Sequence, residues 1–277
     1  MSSWNVVQNH ISFHAVYNSS ILDALKFANH TGFKGIQIAV EVPHLSFEQL
    51  SDEDCFQIRN YAKKHDLYIT LHAPDDVVSL FVVNPALQQG IFAYYTALFD
   101  FAEKIGACLI TIHLGKMTTF PTDTIPELKY PEEDLLIYWE ALENNLGEIV
   151  KSARNRFILC VENYYFNPFI LEVLEPLIQD EEIFLCWDIA KTFTRSGEKI
   201  AEIEAFFLDN LSQIRQVHLH DIHNYRSHRS IGEGIIDFAY FIKLLKDVTI
   251  EDYCIEVRPH SRAVDSYKKL EKIIQNH

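Results

Sequence analysis

The sequence contains no apolar run of membrane-spanning length. Its first ten residues, MSSWNVVQNH, lack the basic start and apolar stretch of a signal peptide. Both absences predict a cytoplasmic protein with no membrane association. There is no Lys/Arg-rich block either. The 39 acidic residues against 24 basic ones leave a net charge of −15, and such a surface repels a phosphate backbone, so nucleic-acid binding is disfavoured. No two of the five cysteines, Cys55, Cys108, Cys160, Cys186 and Cys254, stand at a zinc-ribbon or redox spacing. Four of them, all but Cys55, fall in apolar β-like runs, which predicts buried, reduced thiols. The chain also lacks a linker, a low-complexity tract, a short repeat and a glycine-rich phosphate loop after its first strand. The last of these argues against a dinucleotide-binding doubly wound sheet.

What is present is alternation. Short β-rich runs recur at 10–16, 35–40, 67–72, 108–113, 157–163, 183–188, 214–220 and 252–257. Amphipathic helical patterns lie between them, such as 21–32, 85–106 and 238–246, the last entered through Asp237 as a plausible N-cap. The strand runs are apolar throughout rather than alternating, as strands buried on both faces must be. Eight such units in 277 residues, 48% of them hydrophobic, predict one closed (β/α)8 barrel spanning 1–277.

The chemistry is at the strand ends. The third run ends at His72, the fourth at His113 and the fifth at Glu162. The sixth ends at Asp188, the seventh carries His218 and His220, and the eighth reaches Glu256. In a barrel these ends converge on one mouth, where polar residues are more often catalytic than structural. A single strand-end His or Asp has an ordinary explanation as a hydrogen-bonded or capping residue; six consecutive strands of this kind do not. Carboxylates converging without a cation repel one another. One divalent metal removes the conflict, and the mixture of carboxylate and imidazole suits Mn, Mg, Co or Zn.

The motifs LHAP (71–74), IHLG (112–115), VEN (161–163), WDIAK (187–191), VHLHD (217–221), HRSIGEGIIDF (228–238) and IEVRP (255–259), in this order on successive strands, resemble the xylose-isomerase-like TIM barrels. These include sugar isomerases, ketose 3-epimerases, inosose dehydratases and endonuclease IV. The resemblance implies a metal held by Glu162, Asp188, His218 and Glu256, with Glu162 and Glu256 also as the catalytic acid–base pair. His220 shares the strand parity of His218 and competes with it. His218 is preferred because it heads the family-like H-x-x-D that ends at Asp221. The implied activity is isomerisation or epimerisation of a small sugar or sugar derivative through an enediolate. The alternatives are dehydration of a polyol ketone, an endonuclease IV-like nuclease, and a non-catalytic binding barrel. The nuclease pattern would need further ligands where this chain has Lys191 and Arg226, and a cation there opposes additional metals. A homo-oligomer is left open.

His72, His113, Lys191, His228 and Arg258 are the candidate substrate contacts. For Arg258 an ion pair with Glu162 or Asp221 is the structural alternative. Tyr164 and Tyr165 are candidates for stacking on a sugar or for wall packing, Trp187 is expected to pack outward, and Glu41 is expected to cap or face solvent. Cys160, Cys186 and Cys254 each precede a proposed ligand by two residues, which predicts a thiol-lined floor one layer beneath the site.

Overall fold

A computed structural model describes residues 7–75, 77–117 and 132–275. Eight parallel strands close into a barrel: β1 (Ile11–Ala15), β2 (Gly35–Ala39), β3 (Tyr68–His72), β4 (Leu109–Ile112), β5 (Ile158–Glu162), β6 (Phe184–Asp188), β7 (Ile214–Leu219) and, after a short antiparallel hairpin β8 (Asp221–His223) and β9 (Arg226–Arg229), β10 (Asp252–Ile255). β10 pairs with β1 and closes the ring. A helix follows each barrel strand: α1 (Ile21–Thr31), α2 (Asp52–Lys64), α3 (Pro85–Ile105), α4 (Glu132–Ala153), α5 (Pro168–Gln179), α6 (Ala201–Asp209), α7 (Phe238–Leu244) and α8 (His260–Gln275). The predicted alternation is therefore the observed one. The β8–β9 hairpin, between the seventh and eighth barrel strands, is the addition. No helix among the described residues is long and apolar enough to cross a membrane.

Local chemistry fixes the helix ends. Ser20 accepts from the Asp23 N–H to start α1, and Gly32 ends it at φ 92°, a left-handed conformation that suits glycine. Ser51 and Asp54 form a reciprocal capping box at α2. Asn84 caps α3 with Pro85 in its first turn. Asp237 caps α7 by accepting from the Tyr240 N–H at 3.1 Å, as predicted.

The strands read as apolar because both of their faces are covered. Val161, Trp187 and Val217 point outward yet are fully buried under the helices. Trp187 stacks on Phe207 with ring centroids 4.8 Å apart and donates its indole N–H to Thr192. Its expected outward packing is thus observed. The opposite parity fills the barrel. Register sets Glu162 beside Cys186, Asp188 beside His218 and His218 beside Cys254. Cys160, Cys186 and Cys254 are fully buried within the barrel, and Cys160 and Cys186 pack with Leu109. Cys108 departs from expectation: it lies just before β4 and is exposed, whereas Cys55, on a helix, is buried.

Candidate metal and substrate site

Glu162, the last residue of β5, is the hub of the barrel mouth. Its Oε2 lies 3.2 Å from His72 Nε2, 3.0 Å from His113 Nε2 and 3.1 Å from His218 Nδ1. Three strands thus aim imidazoles at one carboxylate oxygen, and all four side chains are buried. His218 Nδ1 also lies 3.6 Å from Glu256 Oε1. His218 therefore links two of the three carboxylates proposed as ligands. Asp188 completes the set through a different histidine: its Oδ2 lies 3.2 Å from His220 Nε2 and 3.4 Å from Lys191 Nζ. His220 Nε2 is in turn 4.0 Å from Glu256 Oε2. Both β7 histidines consequently face the carboxylates, one level apart.

Asp188 is held from behind. Its backbone N–H donates to Asn163 Oδ1 at 2.7 Å, and the Asn163 amide donates back to its carbonyl at 3.0 Å. Its Oδ1 accepts the backbone N–H groups of Ala190 and Lys191, so it also caps the short 3-10 turn Ile189–Thr192. Glu256 lies just beyond β10. Closure of the barrel brings β1 alongside it, and His14 Nδ1 sits 3.2 Å from Glu256 Oε1.

Burying three carboxylates is costly unless positive charge accompanies them. Burial opposes ionisation of Glu162, but attraction to His113 and His218 holds its carboxyl well below the usual range. Burial likewise opposes Glu256, outweighed chiefly by His218, while burial keeps His14 itself well below the usual imidazole range and therefore neutral. For Asp188 the compensation comes from His220 and Lys191. The cost is transferred to the bases. Burial would lower His72, but its hydrogen bond and attraction to Glu162 raise it to about 9. Burial would lower His218, but Glu256 and Glu162 raise it to about 10. Burial, helped by His220, lowers His228 to about 4.

These residues fit a divalent cation. His218 Nδ1 is a buried ring nitrogen between two carboxylates with no hydrogen-bond partner, and His113 Nδ1, also without one, lies 3.1 Å from Asp75 Oδ1 on the side away from Glu162. His72–Glu162–His218 and His220–His228–Glu256 each bring three donor atoms within 4.8 Å of one another. The donors are imidazole and carboxylate, a set that binds Mn, Mg, Co or Zn.

Above this cluster opens a cavity of about 490 Å³, a volume that suits a small-molecule ligand. Asn163, Tyr164, Lys191, Arg195, His220 and His228 are among its walls. Tyr164 stacks on His113 with centroids 4.4 Å apart, and Lys191 Nζ sits 4.6 Å over the same ring. Of the candidate substrate contacts, Lys191 and His228 line the cavity, and His72 and His113 bear on Glu162 from below it. Arg258 makes neither of the expected ion pairs. Its guanidinium donates to His14 Nδ1 at 3.2 Å. Glu41 accepts from the Asp75 N–H and is exposed, as expected.

Asp221 has a role that sequence reasoning did not assign. Fully buried, it accepts the backbone N–H groups of Ile222, Gly232, Gly234 and Ile236, tying down the IGEG turn that follows the hairpin. Gly234 packs against the Ile222 carbonyl and the Asp221 carboxylate, leaving no room for a Cβ. His14 was also missed, although the signal used for the other strands, a His at a strand's C-terminal end, was present on β1.

A family model described as xylose isomerase-like TIM barrel matches residues 25–275. Comparison with curated protein sequences found no match. Among solved structures, a D-tagatose 3-epimerase-like protein superposes with a TM-score of 0.74 at 18% identity, covering 96% of this chain and 97% of its own. A 3-keto-D-glucoside 4-epimerase from E. coli reaches 0.71 at 15% identity, over 95% and 99% of the two chains. Endonuclease IV from Thermus thermophilus reaches 0.69 at 16% identity, over 97% and 100%. At these identities the likeness is one of fold.

Proposed function

The chain belongs to the xylose isomerase-like TIM barrel family, and on that premise we propose that it is a divalent-metal-dependent isomerase or epimerase of a small sugar or sugar derivative. The observation that carries this reading is the pair Glu162 and Glu256, two buried carboxylates reached by the same His218 Nδ1 beneath the cavity. Glu162, Asp188, His218 and Glu256 are the proposed metal ligands, with His220 beside Asp188 and Glu256 as an alternative donor. When bound, the metal supplies Lewis-acid polarisation of a substrate carbonyl and stabilises the charge of the enediolate.

The chain's own groups divide the remaining work. Glu162 and Glu256 are ionised at neutral pH, so each is able to accept a proton from the carbon beside the carbonyl. They come from β5 and β10, three strands apart around the eight-stranded ring. A sugar between them loses a proton to one carboxylate at one face and gains a different proton from the other at the opposite face, once that second glutamate has taken one up from solvent, which inverts the carbon. His72 and His113 orient Glu162. Arg258 donates to His14 Nδ1, and the His14 ring packs 3.2 Å from Glu256 Oε1 as a wall of the Glu256 side rather than as its donor. Lys191 stays protonated beside Asp188 and offers a cationic N–H to substrate oxygen. His228 is neutral at pH 7 and is suited to a hydroxyl.

The test is metal analysis of the purified protein, followed by incubation of the metal-loaded form with ketoses and sugar acids in D2O. About one divalent ion per chain and deuterium incorporation beside the carbonyl support the reading. A dehydrated product moves the protein to the lyases. Three zinc ions, or nicking of abasic DNA, overturns the proposal.

A further inference from the structure

Gln37 occupies the middle of β2, faces the barrel interior and is fully buried. Its side-chain nitrogen stands 3.0 Å from His218 Nε2. That is the ring nitrogen opposite the one that faces Glu162 and Glu256. A neutral imidazole carries one N–H, and only the bare nitrogen is a metal ligand. Whatever partners Nε2 therefore decides what Nδ1 is able to do. In a neutral ring, an amide N–H at Nε2 keeps the proton on Nδ1; a ring protonated at both nitrogens needs an acceptor at Nε2. A carbonyl at Nε2 draws the proton there and leaves the Nδ1 lone pair aimed at the carboxylates. The two ends of an amide are close in size, so a half-turn about its last bond exchanges them without displacing neighbours.

We propose that Gln37 is the positioning residue for His218: its side-chain carbonyl accepts the Nε2–H and holds the ring in the tautomer whose Nδ1 binds the metal. This rests on the reading of His218 as a metal ligand.

The direction of the amide is set from below. Gln37 Nε2 lies 3.4 Å from Thr111 Oγ1, and the Thr111 hydroxyl donates to Gln216 Oε1. The Gln216 amide then donates to Asp252 Oδ2 at 2.7 Å. Every member of this chain is fully buried. While Asp252 is a bare carboxylate, each donor points down towards it, and Gln37 is left with N–H groups for both Thr111 and His218. With a proton on Asp252 every bond reverses. Asp252 then donates to the Gln216 carbonyl, the Gln216 amide to Thr111, and the Thr111 hydroxyl to the Gln37 carbonyl, which also receives the His218 N–H. Cys254, 3.2 Å from the Gln37 oxygen, tolerates either end, because a thiol is both a weak donor and a weak acceptor. Burial raises the Asp252 carboxyl even against the donors that surround it, among them Ser12, Gln216 and Tyr68. Metal at His218 and a proton on Asp252 thus belong to the same direction of the chain.

The experiment uses the full-length protein and Zn²⁺ alone. Long-range ¹⁵N spectra of the zinc-loaded parent should show the His218 proton on Nε2. A proton on Nδ1 overturns the proposal without any variant. In calorimetric titration, Gln37→Leu should weaken Zn²⁺ binding about 10- to 100-fold, the usual cost of removing a partner that orients a ligand. Gln37→Glu, which keeps an acceptor and loses the donor, should bind as tightly as the parent or more tightly. Equal affinity of the parent and Gln37→Leu overturns the proposal while leaving the metal reading intact, whereas failure of the parent to bind Zn²⁺ overturns both. Difference infrared spectra should show a carboxylic-acid carbonyl band growing in with Zn²⁺, absent from Asp252→Asn. A parent without that band refutes the Asp252 link.

Discussion

Lys191 Nζ lies 3.4 Å from Asp188 Oδ2 and 4.6 Å above the ring of Tyr164, so one amine joins a proposed metal ligand to the wall of the substrate cavity. The pairing follows from three residues of separation across a single 3-10 turn, which Asp188 itself caps. Burial would strip the amine of its proton, but Asp188 and the two glutamates raise its pKa above the ordinary lysine value. Lys191→Met should therefore leave metal content unchanged and lower kcat/KM about 10- to 100-fold, because a lost hydrogen bond to a charged group is worth about 1.5–3 kcal/mol. Loss of bound metal in this variant would assign Lys191 to the metal site instead of the substrate.

Glu162→Gln and Glu256→Gln should each abolish turnover while the far-ultraviolet circular dichroism stays that of the parent. An amide of the same shape keeps the packing but neither accepts the proton nor carries the charge. Retained turnover in either variant would remove that residue from the proton-transfer pair.

The metal-free protein should lose stability on the alkaline side. His72 has a folded pKa of about 9 against about 6.5 in an unfolded chain. Its contribution is complete below pH 6.5 and is lost as pH rises through about 9, because the folded state holds the proton more tightly than the unfolded one. The difference is worth on the order of 3 kcal/mol, to be measured as urea midpoints across that interval. His72→Asn should make the profile shallower, leaving the part that His218, raised to about 10, contributes. An unchanged slope would show that the proton sits elsewhere in the cluster.

The strand alternation and the acidic and histidine strand ends were legible because burial on both faces and convergence at a barrel mouth are written into residue type and parity. Parity does not say which of two histidines on one strand reaches which carboxylate. His218 and His220 share a face, and only the stagger between β5, β6 and β7 sends one to Glu162 and the other to Asp188. Arg258 sits two residues from Glu256, yet its partner is His14, brought alongside only when β10 closes onto β1. Gln37 carries no signal in a strand that reads as apolar, since its importance lies in a neighbour on β7.

Thiol reactivity should separate the barrel floor from the surface. Cys108 is exposed, and the other four cysteines are buried. Burial pushes the thiols of Cys160, Cys186 and Cys254 well above the ordinary value, so little reactive thiolate is present. Burial of its sulfur also raises Cys108, to about 12, so its advantage is access alone: a native-state titration with a disulfide reagent should modify Cys108 first, and the rest only in denaturant. Fast modification of any of the three floor cysteines would show that the barrel bottom opens to solvent.

Asp221 should prove the most costly single loss outside the metal cluster. It is fully buried and accepts four backbone N–H groups, three of them from the turn that follows the β8–β9 hairpin. Asp221→Ala leaves all four donors without a partner in a site closed to water. A buried donor left without an acceptor costs about 1–3 kcal/mol, and here four lose theirs together. Asp221→Asn keeps one acceptor oxygen, turns an N–H towards other donors, and should fall between the two. Because β9 carries His228, whose ring lies 4.2 Å from that of His220, the damage should extend to the substrate cavity. Urea titration gives the stability, and the KM of the surviving folded fraction gives the effect on the site. Parental stability in Asp221→Ala would mean that the turn is held by packing of Ile231 and Ile236 rather than by the carboxylate.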